Sequence, residues 1–461
     1  MSQRTGGRWT RPLLAALLLV SALLLAVVLD VPDRLSRRWR PSAHQRYAEG
    51  LRRAGLADTA LGRSWLDAAA RAVREAAPVS LPAREIGYLP AGEPAAVGWR
   101  VEVRRGQRFE VEIVIEGAPE PLVFVDLFEA GRDGVRPIAE AQPAGAGSSL
   151  RLEREAGEDV AWALRLQPEL LRSVRYTATL RAAASLAFPV EGHGAGAVGG
   201  VFGDPREGGR RQHHGIDIFA PAGTPALAAA AGRISRVDTT EVGGNVVWVR
   251  DDARALSLYY AHLQSHGVRP GQRVARGEPV GRVGNTGNAR TTPPHLHFGV
   301  YRPFGPVDPL PYVRQPRQKP AEAVYAGQVR DVRRLARAAP LRDTPEEDTG
   351  TTGASLPAHT LVAVRAAAGR SVRVALPDGR TGFVPGANLE ALAVVRRLRL
   401  PALALRDAPH PRAASLAAIA QGTPAAVLAR LGSWAYVETA GTRGWMAHGE
   451  RDAGGAVALG R

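Results

Sequence analysis

Three short stretches hold side chains able to bind a metal: RQHHGIDIFAPAGTP (211–225), LSLYYAHLQ (256–264) and PPHLHFGVY (293–301). Imidazole nitrogen together with carboxylate oxygen is a donor set that suits zinc. His213 and Asp217 stand four residues apart. Helical spacing would put them on one face, but Gly215 and the IDIFAPAGTP that follows favour strand and turn. In a fully extended segment the two would lie about 13 Å apart. Both reach one metal only if His213 sits in a bend, which Gly215 permits. His214 and Asp217 point to opposite faces of a strand, so His214 is the weaker candidate. His295 and His297 are two residues apart, which on a strand gives one face and a separation of about 7 Å. Leu296 and Phe298 then turn to the core. His262 ends an apolar run. Each fragment alone is weak evidence; the three in this order are specific. No HExxH occurs, so no helical glutamate serves as a base.

These residues need a strand-rich scaffold, and the surrounding pattern supplies one. Residues 96–185 alternate or run apolar in WRVEVRR, FEVEIVIEG, PLVFVDLFE, VAWALRLQ and VRYTATLRA, with Gly- and Pro-bearing turns between. That pattern predicts an antiparallel β-sandwich. Its Glu110, Glu112 and Asp126 read as solvent-facing strand residues. Residues 41–78 read as one or two short amphipathic helices, with Tyr47, Leu51, Leu61, Trp65, Ala69 and Val73 at three- and four-residue steps. Residues 186–314 are again strand-rich, and the alanine run at 226–231 is too short for a helix. QPRQKPAEAVYAGQ (315–328) reads as a linker. A repeat follows it: VRRLARAAPLRDTP (332–345) resembles VRRLRLPALALRDAP (395–409), and VRVALPDGRTGFVP (372–385) resembles AYVETAGTRGWMA (435–447). Two copies of a small β unit fit that spacing.

The stretches FGDPR, HHGIDIFAPAGTP, YYAHL, GVRPGQRVARGEPVGRVGNTG and PPHLHFGV resemble the lysostaphin/LytM-type zinc endopeptidases of bacterial cell walls. The resemblance covers residues 186–310. It implies that His213, Asp217 and His297 coordinate one Zn²⁺, with His262 and His295 beside the metal-bound water and the oxyanion. His214 takes the variable position between ligand and glycine. Three protein ligands leave one tetrahedral position open, as in a catalytic rather than a structural zinc site. A histidine with an ordinary pKa of about 6.5 can act as base at neutral pH, and His262 and His295 are the candidates. One departure is TTPPHLH, where many relatives have a shorter approach; it touches substrate fit rather than ligands. GQRVARGEPVGRVG also resembles biotinyl and lipoyl carriers, but Lys319 is the only lysine, so no modifiable lysine sits there. LRDTP, LRDAP, GRTGFVP and TRGWMA resemble bacterial SH3-like domains, in which Phe383, Trp434 and Trp445 would be barrel core.

The whole chain adds three constraints. Its net charge of +16 is carried almost wholly by arginine and favours anionic partners. No aromatic-interleaved basic cluster or helix-turn-helix pattern points to nucleic acid. Cysteine is absent, which excludes disulfides and thiolate chemistry. PLLAALLLVSALLLAVVL (12–29) is uncharged and long enough to span a bilayer, and no Ala-x-Ala cleavage site follows it. A retained anchor is therefore expected, rather than a cleaved and secreted product.

The expected architecture is mainly β and multidomain. It comprises a cytoplasmic stub and signal-anchor helix (1–40), a short helical segment (41–95), a β-sandwich-like domain (96–185) and a compact β-sheet zinc endopeptidase domain (186–314). A linker (315–328) and two SH3-like β-barrels (329–394 and 395–461) complete it. The expected function is hydrolysis of peptide bonds in peptidoglycan cross-links through a metal-activated water. The location would be the cell envelope, on the inner membrane, with the catalytic domain in the periplasm or outside. The C-terminal repeats would hold the chain on peptidoglycan. The alternative is a non-hydrolytic LytM-like regulator or wall-binding scaffold.

Overall fold

The structure, a computed structural model, describes residues 41–116, 121–131, 134–143, 149–316, 319–346 and 352–447. The expected anchor lies outside these residues, and among those described no helix is long and apolar enough to cross a membrane. The chain divides into two compact units after Arg63. In the first, helix Ala43–Arg53 opens with a capping box. The Ser42 hydroxyl accepts from the Gln45 backbone N–H, and the Gln45 side chain accepts from Ser42 N–H at 2.8 Å. A second helix, Ala60–Arg74, crosses the division.

The second unit begins with a β-sandwich. One sheet orders Ala77–Pro78, Val97–Val103, Val160–Pro168, Val123–Gly131 and Gly134–Glu140. The other runs Ala83–Leu89, Val174–Ala184, Gln107–Glu116, Ser149–Glu155 and Gln142–Pro143. Trp99 and Leu164 of the first meet Phe109 and Ile113 of the second in one core.

Two expectations are corrected here. Ala83–Leu89 lies in the segment expected to be helical, yet it is a strand paired with Val174–Ala184. Its inward positions include Glu85 and Gly87, so apolar alternation is missing from the sequence. Glu85 is buried because it accepts hydrogen bonds from the Tyr176 hydroxyl at 2.7 Å and from Arg373 at 2.8 Å. Gly87 leaves space for the Tyr176 ring, which a Cβ there would meet at 2.3 Å. Asp126, expected to face solvent, is buried too, and Arg165 donates to it at 2.6 Å.

Ala83–Leu89 also pairs on its other edge with Leu361–Ala368. The sandwich sheet thus continues directly into the first C-terminal repeat. Both repeats have the same strand order: 352–356, 339–342, 381–385, 371–375, 361–368 and 332–335 in one; 415–419, 403–406, 442–447, 434–439, 424–431 and 396–399 in the other. Phe383 and Trp445 are buried and Trp434 is half-buried. Trp445 reaches into a core shared with Leu335 and Val364 of the first repeat.

The sheet carrying the histidines has eight strands: β1 (Val198–Gly200), β2 (Ile216–Phe219), β3 (Gly232–Thr240), β4 (Gly244–Asp251), β5 (Leu256–Leu263), β6 (Arg273–Val274), β7 (His295–Arg302) and β8 (Gly305–Val307). They order β1-β2-β7-β5-β4-β3-β6, with β8 beside β7. Ile216, Ile218, Val247, Val249, Leu258, Tyr260, Leu296 and Phe298 fill one face and are all 0% exposed. Period-two alternation then puts Asp217, Tyr259, His295 and His297 on the other face. The alanine run at 226–231 forms the end of a short strand, Pro225–Leu227, and bends beyond it.

Removing one partner of a buried ion pair leaves an uncompensated charge, at a cost of about 3–5 kcal/mol. Asp126→Ala is expected to lower the unfolding free energy of the full chain by about that much, read from urea denaturation.

Candidate metal centre

The chain leaves the short strand Arg211–Gln212, bends through residues 213–215 and enters β2. The bend brings His213 back over Asp217. His213 Nε2 lies 2.9 Å from Asp217 Oδ1 and 2.9 Å from His297 Nδ1, and His297 Nδ1 lies 3.1 Å from Asp217 Oδ1. Asp217 and His297 are register partners on β2 and β7. Among the described residues, these three form the cluster that could hold a metal ion.

Gly215 is required for the triangle. A Cβ there would lie 2.6 Å from Phe298 O and 2.7 Å from His297 Nε2. His213 Nδ1 donates to Val201 O at 2.7 Å, so Nε2 is the nitrogen that faces the site, donating to Asp217 when protonated and free to ligate a metal when the ring is neutral. The three donors also fit the size of a zinc ion. Bonds of about 2.0–2.1 Å in tetrahedral geometry separate ligand atoms by about 3.3 Å, so the triangle needs to open only slightly.

Asp217 sits in a cradle that the sequence did not reveal. Arg206 Nη2 donates to its Oδ2 at 2.7 Å. Gly200 leaves the space for this pair, since a Cβ there would lie 2.6 Å from Asp217 Oδ2 and 2.9 Å from Arg206 Nη2. Arg206 stands in FGDPR, a stretch that carries the resemblance without suggesting a role. Burial alone would raise the Asp217 pKa. The hydrogen bonds and charges of His213 and His297 outweigh it and hold the carboxyl far below the usual range. Burial pushes His297 down, against the opposing pull of Asp217.

His262 and His295 flank the triangle. Their ring centroids are 5.0 Å apart, and the His262 ring lies 6.0 Å from that of His297. His295 Nε2 is 4.0 Å from Asp217 Oδ1. Each flanking ring is fixed by a carbonyl: His262 Nδ1 donates to Thr286 O and His295 Nδ1 to Pro293 O, both at 2.9 Å. Both therefore leave Nε2 bare when neutral. Pro293, in the Pro-Pro approach to β7, thus supplies the carbonyl that orients His295. Burial pushes the His262 pKa down to about 4, aided by His295 and His297 and opposed by the bond to Thr286.

His262 pays for its position with strain: its φ is +60°, uncommon for a residue with a side chain. Its N–H donates to Gly243 O at 2.7 Å. The Thr286 hydroxyl donates to Leu263 O at 2.8 Å and accepts from Asn245 N–H at 3.0 Å. His214 is exposed and stacks with Phe202 at 6.4 Å, away from the triangle.

Residues 211–309 match Peptidase family M23, and residues 401–450 match the bacterial SH3 domain. The L-Ala--D-Glu endopeptidase of Bacillus subtilis is 36% identical over 126 residues, 25% of this chain and 38% of the relative. The peptidoglycan DD-endopeptidase ShyC of Vibrio cholerae is 38% identical over 94 residues, 20% of this chain and 21% of the relative. Among solved structures, the catalytic domain of the antimicrobial peptidase lysostaphin from Staphylococcus simulans is 30% identical, with a TM-score of 0.23; the match covers 25% of this chain and 90% of that one. The chain thus spans well under half the length of these two curated relatives.

A carboxylate ligand that loses its outer hydrogen bond binds metal more weakly. Arg206→Ala is expected to lower zinc affinity by about 10–100-fold, measured by competition with a chromophoric chelator.

Proposed function

This chain carries a Peptidase family M23 domain at residues 211–309, and from that premise we propose that it is a zinc-dependent endopeptidase acting on the peptide cross-links of peptidoglycan. The observation that carries the reading is the convergence of His213 Nε2, Asp217 Oδ1 and His297 Nδ1, with two further histidines beside them. His213, Asp217 and His297 would hold the ion. When bound, zinc supplies Lewis acidity towards a water and towards the scissile carbonyl.

The remaining work falls to His262 and His295. In its neutral form each ring turns a bare Nε2 to the site, because Nδ1 carries the proton bonded to its carbonyl. One such nitrogen takes a proton from the attacking water as its oxygen bonds the carbonyl carbon. The other ring, when protonated, stabilises the developing oxyanion by a hydrogen bond. As the C–N bond breaks, the proton passes to the departing amine nitrogen. Water is consumed, and a carboxyl and an amine group are released.

The non-hydrolytic alternative is disfavoured by the preserved donor set: a regulator needs neither the triangle nor two oriented histidines beside it. The same reading places the chain in the cell envelope, held by residues 12–29, with its C-terminal repeats on the wall. Membrane fractionation and pelleting of the metal-stripped full chain with sacculi test those two placements.

Mass spectrometry of sacculus digests, with and without chelator, identifies the bond cut and tests metal dependence. His262→Ala and His295→Ala are expected to retain zinc and lose hydrolysis by about 10²–10⁴-fold. His213→Ala, Asp217→Ala and His297→Ala are expected to lose both. Full activity of His297→Ala would overturn the assignment.

A further inference from the structure

The face of the sheet that carries the metal triangle does not end at His297. Tyr259 is the register partner of Gly299, Trp248 that of Tyr259, and Tyr301 lies two residues beyond Gly299 on β7. The three rings are half-buried and form one cluster. Trp248 and Tyr259 have centroids 4.4 Å apart, Trp248 and Tyr301 5.1 Å, and Tyr259 and Tyr301 6.3 Å. The Tyr259 ring meets that of His297 edge-on at 5.8 Å.

None of the three rings belongs to the core cluster beneath the sheet, which the opposite face of β4, β5 and β7 already fills. Large half-exposed rings that contribute nothing to a core are characteristic of a binding surface. Gly299 gives the cluster its shape, because a Cβ there would lie 2.9 Å from Tyr301 Cε2 and 3.4 Å from Tyr259 Cβ.

We propose that Trp248, Tyr259 and Tyr301 form a subsite for the peptide arm on one side of the scissile bond, selecting uncharged, apolar side chains. This inference rests on the endopeptidase reading. Strand geometry sets the spacing: the Gly299–Tyr259 row is about 7 Å from the His297 row and the Tyr301 row about 13 Å. An extended peptide lying along β7 therefore places a side chain two residues from the cut over Tyr259, and one four residues away over Tyr301. Nearby charges are already neutralised, Arg236 by Asp238 and Arg250 by Asp252, so the rings select for apolar rather than ionic groups.

The test uses the full chain with two soluble substrates: cross-linked muropeptide dimers with complete arms, and a minimal peptide carrying only the bond identified from sacculus digests. Trp248→Ala and Tyr301→Ala are expected to raise KM for the dimers about tenfold, the worth of one aromatic contact. Their kcat, and their action on the minimal peptide, stay as in the parent chain. Calorimetric titration of the metal-stripped chain with an uncleaved arm peptide loses affinity by the same factor, and Trp248→Phe restores it. Equal losses on both substrates would reduce the rings to supports for His297 and overturn the proposal, as would no loss on either. If sacculus digests show no bond cut, the endopeptidase reading fails, and the titration alone decides the subsite: an arm peptide that does not bind overturns it.

Discussion

Asp217 carries a negative charge at a position only 7% exposed. Removing a carboxylate from water costs several kcal/mol unless charged or hydrogen-bonding partners surround it. Much of the local sequence follows from that constraint. Arg206 neutralises one oxygen, two imidazole nitrogens crowd the other, and Gly200 and Gly215 withhold the side-chain atoms that would block them. The two glycines act from opposite sides. One admits the arginine, and the other lets His297 and the bend at 213–215 close on the carboxylate. The Val201 carbonyl then holds a proton on the His213 nitrogen facing away, so that in the neutral ring a lone pair meets the site.

Strand periodicity extends this arrangement outward. With the even residues of β7 committed to a filled core, every odd residue from His295 to Tyr301 shares the open face. His262 escapes that rule. It stands one residue before the end of β5 with a positive φ, and two loops lock it there, one through Gly243 O and the other through Thr286 O. Gly244 allows the lock, since a Cβ would lie 2.1 Å from the Thr286 hydroxyl. Strain held by several hydrogen bonds orients a ring more firmly than a relaxed strand end would.

The three side chains that converge were legible in the sequence because their signal is short-range. HHGID needs a bend at a glycine and HLH needs a strand, and both requirements show in residue types a few positions apart. The alternation of residues 96–185 and the internal repeat were legible for the same reason. What escaped was non-local. Arg206 becomes a partner of Asp217 only when a loop folds back. Ala83–Leu89 reads as no strand because its inward Glu85 and Gly87 are explained by Tyr176 and Arg373, which are distant in sequence. Asp126 looked exposed because its partner, Arg165, sits on a neighbouring strand.

That same hidden strand changes how the repeats relate to the rest of the chain. A linker at 315–328 suggests tethered modules, yet Ala83–Leu89 hydrogen-bonds to Leu361–Ala368, and Tyr325 packs where a Cβ on Gly386 would clash. At the other end of the sandwich, Glu155 receives two hydrogen bonds from Arg254, at 2.8 and 2.6 Å, in the turn between β4 and β5. Arg254 also bonds buried Asp251 at 3.0 Å. A bidentate guanidinium–carboxylate pair fixes orientation as well as distance. The sandwich therefore acts as a frame: one sheet edge holds the first repeat, and one turn holds the metal-bearing sheet. Two modules on a flexible linker raise local concentration without fixing geometry. On a shared frame, the repeats and the face of β7 are instead held at a fixed angle and separation.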